Sequence, residues 1–547
     1  MKRFIYFCLL FAMGAPLAMA QGNDPLGGKD TLVLENERIE DVIDSEKPYL
    51  KPPYQEIKKG NTENIDYRSQ NFYIDTDFTP SPPDIKPLEK EKAEKLNNNF
   101  IKLGLGRYMT PLGKLYINNG RDRGMDYGLD FTHLSAHQDA IPLRKFREDY
   151  GTARVNLIER KYKLDAKVHL YNTRFFNYGD TVLRDNPVAR EDSLRNGFTR
   201  FQVAANMISN YDPEADYVYD VGADFNIFGG NNGNREIQIQ LKPKVGYQFN
   251  EDVKFMLHSE VAYVNGKIGA DQENRFFVDA LPHVDFDNGT FAAKGGLQLN
   301  YFGNSADTSA SFLGGLVEVS YAIVPEGLTF IAGYTSGMQA NTYRDFMTEN
   351  RYIQQEITIK PTIERFNIYA GVKGNIAQQV DFHARVYQKR MENQAIYFTN
   401  EFGAFFDVLY DTVNITGATV ELNYDLQESI KAGAALNINV YNTKEVEKFF
   451  HAAPLRLDLF AQYNINDQFQ AKGELFFVGP RPMSLDPAGE VITAGPFIDL
   501  SVSADYRITP GFSVFLSVNN LLNSNYQRWH NYDERRLDFL GGLSFAF

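Results

Sequence analysis

Apolar and polar residues alternate with a period of two along most of this chain. In 236–247, Ile237, Ile239, Leu241, Val245 and Tyr247 share one face, and Glu236, Gln238, Gln240, Lys242 and Lys244 share the other. In 380–389, Val380, Phe382, Ala384 and Val386 oppose Asp381, His383, Arg385, Tyr387 and Lys389. In 430–441, Leu436, Ile438 and Val440 oppose Lys431, Asn437 and Asn439; in 498–507, Ile498, Leu500 and Val502 oppose Asp499, Ser501, Ser503 and Asp505. Successive side chains of a strand leave on opposite faces, so this is the pattern of strands with one greasy and one polar side. The runs are about twice the usual globular strand length, which suits a tilted crossing of a bilayer.

The closing run has the same form. In 536–547, Leu537, Phe539, Gly541, Leu543, Phe545 and Phe547 fall on one side, and Arg536, Asp538, Gly542, Ser544 and Ala546 on the other, with Leu540 the misfit. Short turns at Asp212-Pro213-Glu214, Asn250-Glu251-Asp252, Asn288-Gly289, Pro325-Glu326-Gly327, Asn466-Asp467 and Thr509-Pro510-Gly511 interleave with longer links near 177–196, 266–273, 340–352, 395–411, 442–452, 480–495 and 521–533. Alternating short and long connections are expected when one rim of a barrel faces the periplasm and the other the outside. The pattern predicts an all-β protein, a transmembrane antiparallel β-barrel over 98–547 with about 22 strands and in any case an even number. No repeat of about 40–50 residues points to a propeller. After residue 20 no run of about 18 apolar residues occurs, so a membrane span must be built from strands.

The amino end adds an address. Lys2 and Arg3 precede an apolar core from Phe4 to Ala15, and Ala18-Met19-Ala20 forms a small-residue cleavage site. Residues 1–20 are therefore predicted to be a signal peptide that is removed. The single cysteine, Cys8, goes with it, which leaves no disulfide and no thiolate metal site. Residues 21–97 carry seven prolines from Pro48 to Pro87 and the charge run Glu89–Lys95, with little alternation. They read as an extended or partly disordered periplasmic or lumenal segment. Aromatic residues make up 14 % of the chain, enough for girdles at both membrane interfaces, and Trp529 is the single tryptophan. The net charge of −14 speaks against nucleic acid as a partner. The predicted location is the outer membrane of a Gram-negative bacterium, with outer-membrane lipid and lipopolysaccharide as neighbours.

The stretch Phe512–Tyr526, an alternating strand running into Val518-Asn519-Asn520-Leu521-Leu522-Asn523, resembles the penultimate strand of TonB-dependent receptors, and Leu540–Phe547 resembles their terminal strand. The barrel start at Ile101–Leu112 is similar to a subgroup of such barrels that lack much of the usual architecture. The resemblance implies a transport or channel role. It also implies that Phe539, Leu543, Phe545 and Phe547 form the signal read by the barrel-insertion machinery. Asp30, Thr31, Leu32, Val33 and Leu34 look like the box that contacts the energy transducer, but the preferred reading of these five residues is an ordinary short apolar peptide. Receptors of this family fill their barrel with a plug of about 130 residues, whereas residues 21–97 are too few and lack its pattern. Energised import is therefore not carried over.

Enzyme chemistry finds little support. His258 and Ser259 are adjacent on a strand and leave on opposite faces, so they cannot act on each other. His133 and His137 share a face but stand roughly 13 Å apart at the strand rise, too far to share one metal. No cofactor, no metal ligand set and no catalytic residue is predicted. Two functions remain: a transport or channel barrel whose lumen is closed by 21–97, by inward links such as 395–411 and 480–495, or by a partner; and a structural scaffold subunit of an outer-membrane complex for assembly, secretion or a surface lipoprotein. In the second case an outer-membrane or periplasmic protein would be the partner.

Overall fold

The structure is a computed structural model that describes residues 98–547 apart from 121–123, 138, 181–193, 210–216, 307, 326, 377–378, 400–402, 427–428 and 467. The predicted signal peptide, the segment 21–97, the candidate box Asp30–Leu34 and the predicted turn at Asp212-Pro213-Glu214 lie outside the described residues.

Twenty-two strands form one antiparallel sheet that closes on itself. Each strand pairs with the next in sequence, and the first, Asn99–Gly106, pairs with the last, Asp538–Ala546. Closure gives every strand two neighbours, which satisfies the backbone where no water can. At the seam Phe100 faces Ala546 and Gly106 faces Leu540. Gly104 and Gly542 are register partners there, and a Cβ on Gly542 would lie within about 2.0 Å of the Leu103 carbonyl, so the seam closes on bare backbone.

The faces follow the alternation. Ile237, Ile239, Leu241 and Ile438 are exposed on the outside, whereas Gln238 and Asp499 are buried within. Leu436 and Asn437 take the outward and inward positions that alternation assigns, since Leu436 pairs with Val420 and Asn437 with Thr419. Phe539, Leu543, Phe545 and Phe547 all point outward and are exposed. Tyr217, Tyr247, Phe291, Tyr321, Tyr463 and Tyr506 stand outward near the rim that carries Phe547, as an aromatic girdle would. Trp529 has another place, described below.

The connections confirm one rim of short links and correct two expectations about the other. The predicted link 266–273 is a tight turn at 269–270 between Val253–Ile268 and Asp271–Asp287, with Gly269 at φ +63°. The predicted link 395–411 is mostly strand: Val380–Thr399 and Phe406–Leu426 run past their neighbours and pair with each other as far as Thr399 and Phe406. The links 340–361, 479–496 and 520–537 are long, and they lie on the rim opposite Phe547.

Candidate functional site: an aromatic bridge across the outer mouth

The long links fold toward one another. Their rings form a buried cluster with rings from the strand ends: Phe175, Phe198 and Phe228 from the fifth to seventh strands, Tyr343, Phe346 and Tyr352 from the link 340–361, Tyr397 and Phe406 from the fifteenth and sixteenth strands, and Trp529 and Tyr532 from the link 520–537. The contacts are sequential. Phe175 meets Tyr352 edge-on at 5.7 Å, Tyr352 stacks on Tyr532 at 3.6 Å, and Tyr532 meets Phe406 at 6.1 Å. Trp529 then joins Phe406 to Tyr397 at 5.5 and 5.3 Å. The fifth and sixteenth of 22 strands are eleven apart, so this chain of rings joins opposite walls. Each well-placed ring pair adds roughly 0.5–1.5 kcal/mol beyond burial, which makes the array a stiff strut.

Single polar residues of the wall decide where the links sit. Glu236, buried on the eighth strand, accepts from the backbone N–H of Tyr343 at 2.9 Å and of Arg344 at 3.0 Å, and pairs with Arg275. It thereby satisfies two of the free donors at the start of the short helix Tyr343–Glu349, whose own capping box is formed by Thr342 and Asp345. Asn232 donates to the Tyr343 hydroxyl at 3.0 Å, and Asn234 donates to the Gln355 carbonyl at 2.7 Å. On the far side Ile353 forms a parallel bridge with Phe406. The link 340–361 thus starts at the thirteenth strand, docks on the eighth and crosses to the sixteenth.

Two buried carboxylates complete the bridge. Glu148, wholly buried on the fourth strand, accepts from Arg351 at 3.0 Å. Asp139 holds both Arg144 and Arg535, and Arg144 also donates to the Asp533 and Glu534 carbonyls at 3.2 and 2.8 Å. Tyr532 donates its hydroxyl to the Ala404 carbonyl, and Tyr178 donates to that of Asp533 at 3.0 Å. Gly179 is required beneath Tyr532, since a Cβ there would lie 2.4 Å from the ring.

The electrostatics follow from burial. Desolvation pushes the Glu534 carboxyl above its ordinary range, and Arg528, Arg144, Arg351 and Arg535 pull it back. The Glu349 carboxyl is likewise raised by burial. His451 lies against Phe406 and Trp529, and desolvation lowers it to about 3, so the ring is neutral at physiological pH.

Other sequence candidates fall elsewhere. His258 faces the lumen, where its ring meets that of His283 at 4.6 Å, while Ser259 takes the opposite face. His133 and His137 both touch the Ser135 hydroxyl, at 3.1 and 3.4 Å, rather than each other. Among the described residues no group of histidine, cysteine and carboxylate side chains is arranged to hold a metal ion. Sequence reading missed the bridge. The available signal was the number of large rings in supposed loops, at Tyr343, Phe346, Tyr352, Trp529 and Tyr532.

No protein-family model matches the chain, and no curated sequence matches it. Solved structures do. The FrpB iron transporter of Neisseria meningitidis aligns at a TM-score of 0.66 and 12 % identity over 83 % of this chain and 82 % of its own. The ferric-catecholate import receptor Fiu of Escherichia coli K12 aligns at 0.63 and 11 %, covering 82 % of each chain. The siderophore receptor PirA of Acinetobacter baumannii aligns at 0.64 and 10 %, over 84 % of this chain and 81 % of its own. The chain has the barrel fold of the TonB-dependent receptors. That fold carries an outward belt of exposed apolar residues, as a barrel facing lipid would. The similar structures are described as transporters and receptors.

Proposed function

We propose that this protein is a non-enzymatic outer-membrane transport barrel whose outer mouth is closed by its own links. The observation that carries the reading is the unbroken ring contact from Phe175 through Tyr352 and Tyr532 to Phe406, between opposite walls. A barrel of this size enclosing an empty lumen would be a wide aqueous pore. A strut of rings and buried ion pairs blocks free diffusion and sets a barrier that a solute or partner must displace. The likeness to iron and siderophore receptors supports transport as the class of function and leaves the cargo open.

Planar-bilayer conductance tests this. The intact chain should conduct little, and the double variant Tyr352→Ala/Tyr532→Ala should conduct severalfold more. Large, stable conductance of the intact chain would identify an open pore instead. Low conductance in both, with a protein co-purifying after mild detergent extraction, would favour the scaffold subunit. A deletion of 21–97 separates a contribution of that segment to closure from that of the links.

The exposed outward row Phe539, Leu543, Phe545 and Phe547 supports a role for the last strand as the insertion signal. Phe547→Asp should lower the folded amount in the membrane more than Leu522→Asp in the outer link 520–537. Equal amounts of the two would end that assignment.

A further inference from the structure

The outward surface of the third to sixth strands changes character at one cross-strand row. On the side toward Phe547 stand exposed apolar residues, among them Leu129, Phe131, Val155, Leu170 and Val203. The row itself is polar: His133 faces Asp149, Asp149 faces Asn172, and Asn172 faces Thr199. His133 Nδ1 lies 2.6 Å from Asp149, and Thr199 donates to Asn172 at 3.0 Å. Four strands thus leave the apolar belt in register, where acyl chains end and headgroups begin.

One step farther from Phe547, Arg147 and Arg174 are direct register partners. Arg147 donates to Asp149 at 2.8 Å. The Arg174 side chain is exposed and makes no ion pair or hydrogen bond with another described residue. The arrangement recurs around the wall, where Arg235 and Lys267 are register partners on the eighth and ninth strands, with both side chains exposed and neither making an ion pair or hydrogen bond with a described residue. Like charges directly opposite on neighbouring strands repel. A chain of net charge −14 that sets cations face to face on its outer wall presents a surface complementary to an anion.

We propose that this surface binds the phosphate of an anionic outer-leaflet lipid, with its acyl chains on the apolar face below and its phosphate between Arg147 and Arg174. An arginine fork matches phosphate geometry, and two guanidinium groups that repel each other both gain when an anion lies between them. Asp149 is the single carboxylate on the row, and its bonds to Arg147 and His133 hold Arg147 in place. Continuity with the belt selects a lipid over a soluble anion, because only a lipid is held at this depth by its tails. The inference concerns the outer wall and is independent of what passes through the lumen.

The test uses the purified full-length protein in detergent, stripped of lipid and titrated with bisphosphorylated lipid A, with the same lipid after removal of its phosphates, and with inorganic phosphate, read by native mass spectrometry. The intact lipid should bind, and Arg147→Glu/Arg174→Glu should weaken it at least tenfold while heat-modifiable gel mobility still reports a folded barrel. The lumenal variant Lys431→Glu should bind as the parent does. If the double variant fails to assemble, Arg174→Gln alone should still weaken binding severalfold. Unchanged binding by the arginine variants, or equal binding of the dephosphorylated lipid, would overturn the proposal. Displacement of the lipid by an equimolar amount of inorganic phosphate would reassign the surface to free anions and overturn it equally.

Discussion

Between Val380 and Met391 each residue of the fifteenth strand faces one of the sixteenth in unbroken register, and any of those pairs could be read from its neighbours. In the link 340–361, by contrast, one carboxylate on another strand, Glu236, sets where the helix begins. The wall is specified redundantly by a period, and the bridge by a few contacts, each made once. Redundancy means that a wall tolerates many changes but fails at a charge on its lipid face. The bridge has no redundancy and should respond to single atoms.

The largest effect should come from Glu148→Ala, which leaves Arg351 buried without its counter-charge and should cost about 3–5 kcal/mol. The expected reading is earlier protease cleavage in 340–361 and 520–537, with the heat-modifiable shift of the barrel retained. Joint loss of both signals would mean that wall and bridge form one cooperative unit. Next is Leu436→Arg, on the lipid face, at about 2–4 kcal/mol near the midplane. It should reduce the folded fraction in the membrane, whereas Asn437→Leu should be mild. The reverse order would invert the register of this strand.

A pair of glycines sharpens the contrast. Gly179→Ala drives a methyl into the Tyr532 ring and should cost about 1–3 kcal/mol. Gly113→Ala in the wall meets nothing within 4 Å and should leave thermal unfolding unchanged. The smallest effect concerns pH. His451 is held below its ordinary value, to about 3, so its contribution is present above about pH 6.5 and is lost as the pH falls toward 3. Glu349 and Glu534 are raised by burial and act in the opposite sense, contributing most below the ordinary carboxylate value and losing it as the pH rises. On acidification the His451 share should weaken protease protection of the outer links while the Glu349 and Glu534 shares strengthen it, and His451→Asn should remove the weakening share. A slope unchanged in that variant would remove the histidine from the bridge's pH response.

Strand number, closure, faces and the outward position of Phe539, Leu543, Phe545 and Phe547 were legible in the sequence, because a lipid face and a watery lumen impose period two. The reading failed where that environment ends. Ala395, Ile396 and Tyr397 are all buried, since the strand there carries the bridge on one side and Phe450 with its neighbours on the other. With both faces covered, alternation vanishes and the stretch looks like a loop. Near 266–273, Lys267, Gln272 and Glu273 are polar because the strands have left the bilayer, not because they have stopped. The partners of Glu148 and Glu236 lie 203 and 107 residues away, beyond the range of any local pattern.

The height of the wall is uneven. At the closing seam the first strand has 8 residues and the last has 9, while the fifteenth and sixteenth strands have 20 and 21. Eight residues rise about 26 Å, and less along the membrane normal once tilted, below the roughly 25 Å apolar band of such barrels. The seam is thus a site of hydrophobic mismatch, where the bilayer must thin to meet the protein. Thickness of the surrounding membrane then acts on the one junction that holds the cylinder shut. Reconstitution in lipids of increasing chain length should lower the unfolding temperature through this seam, and a midpoint independent of chain length would show that the seam carries no such strain.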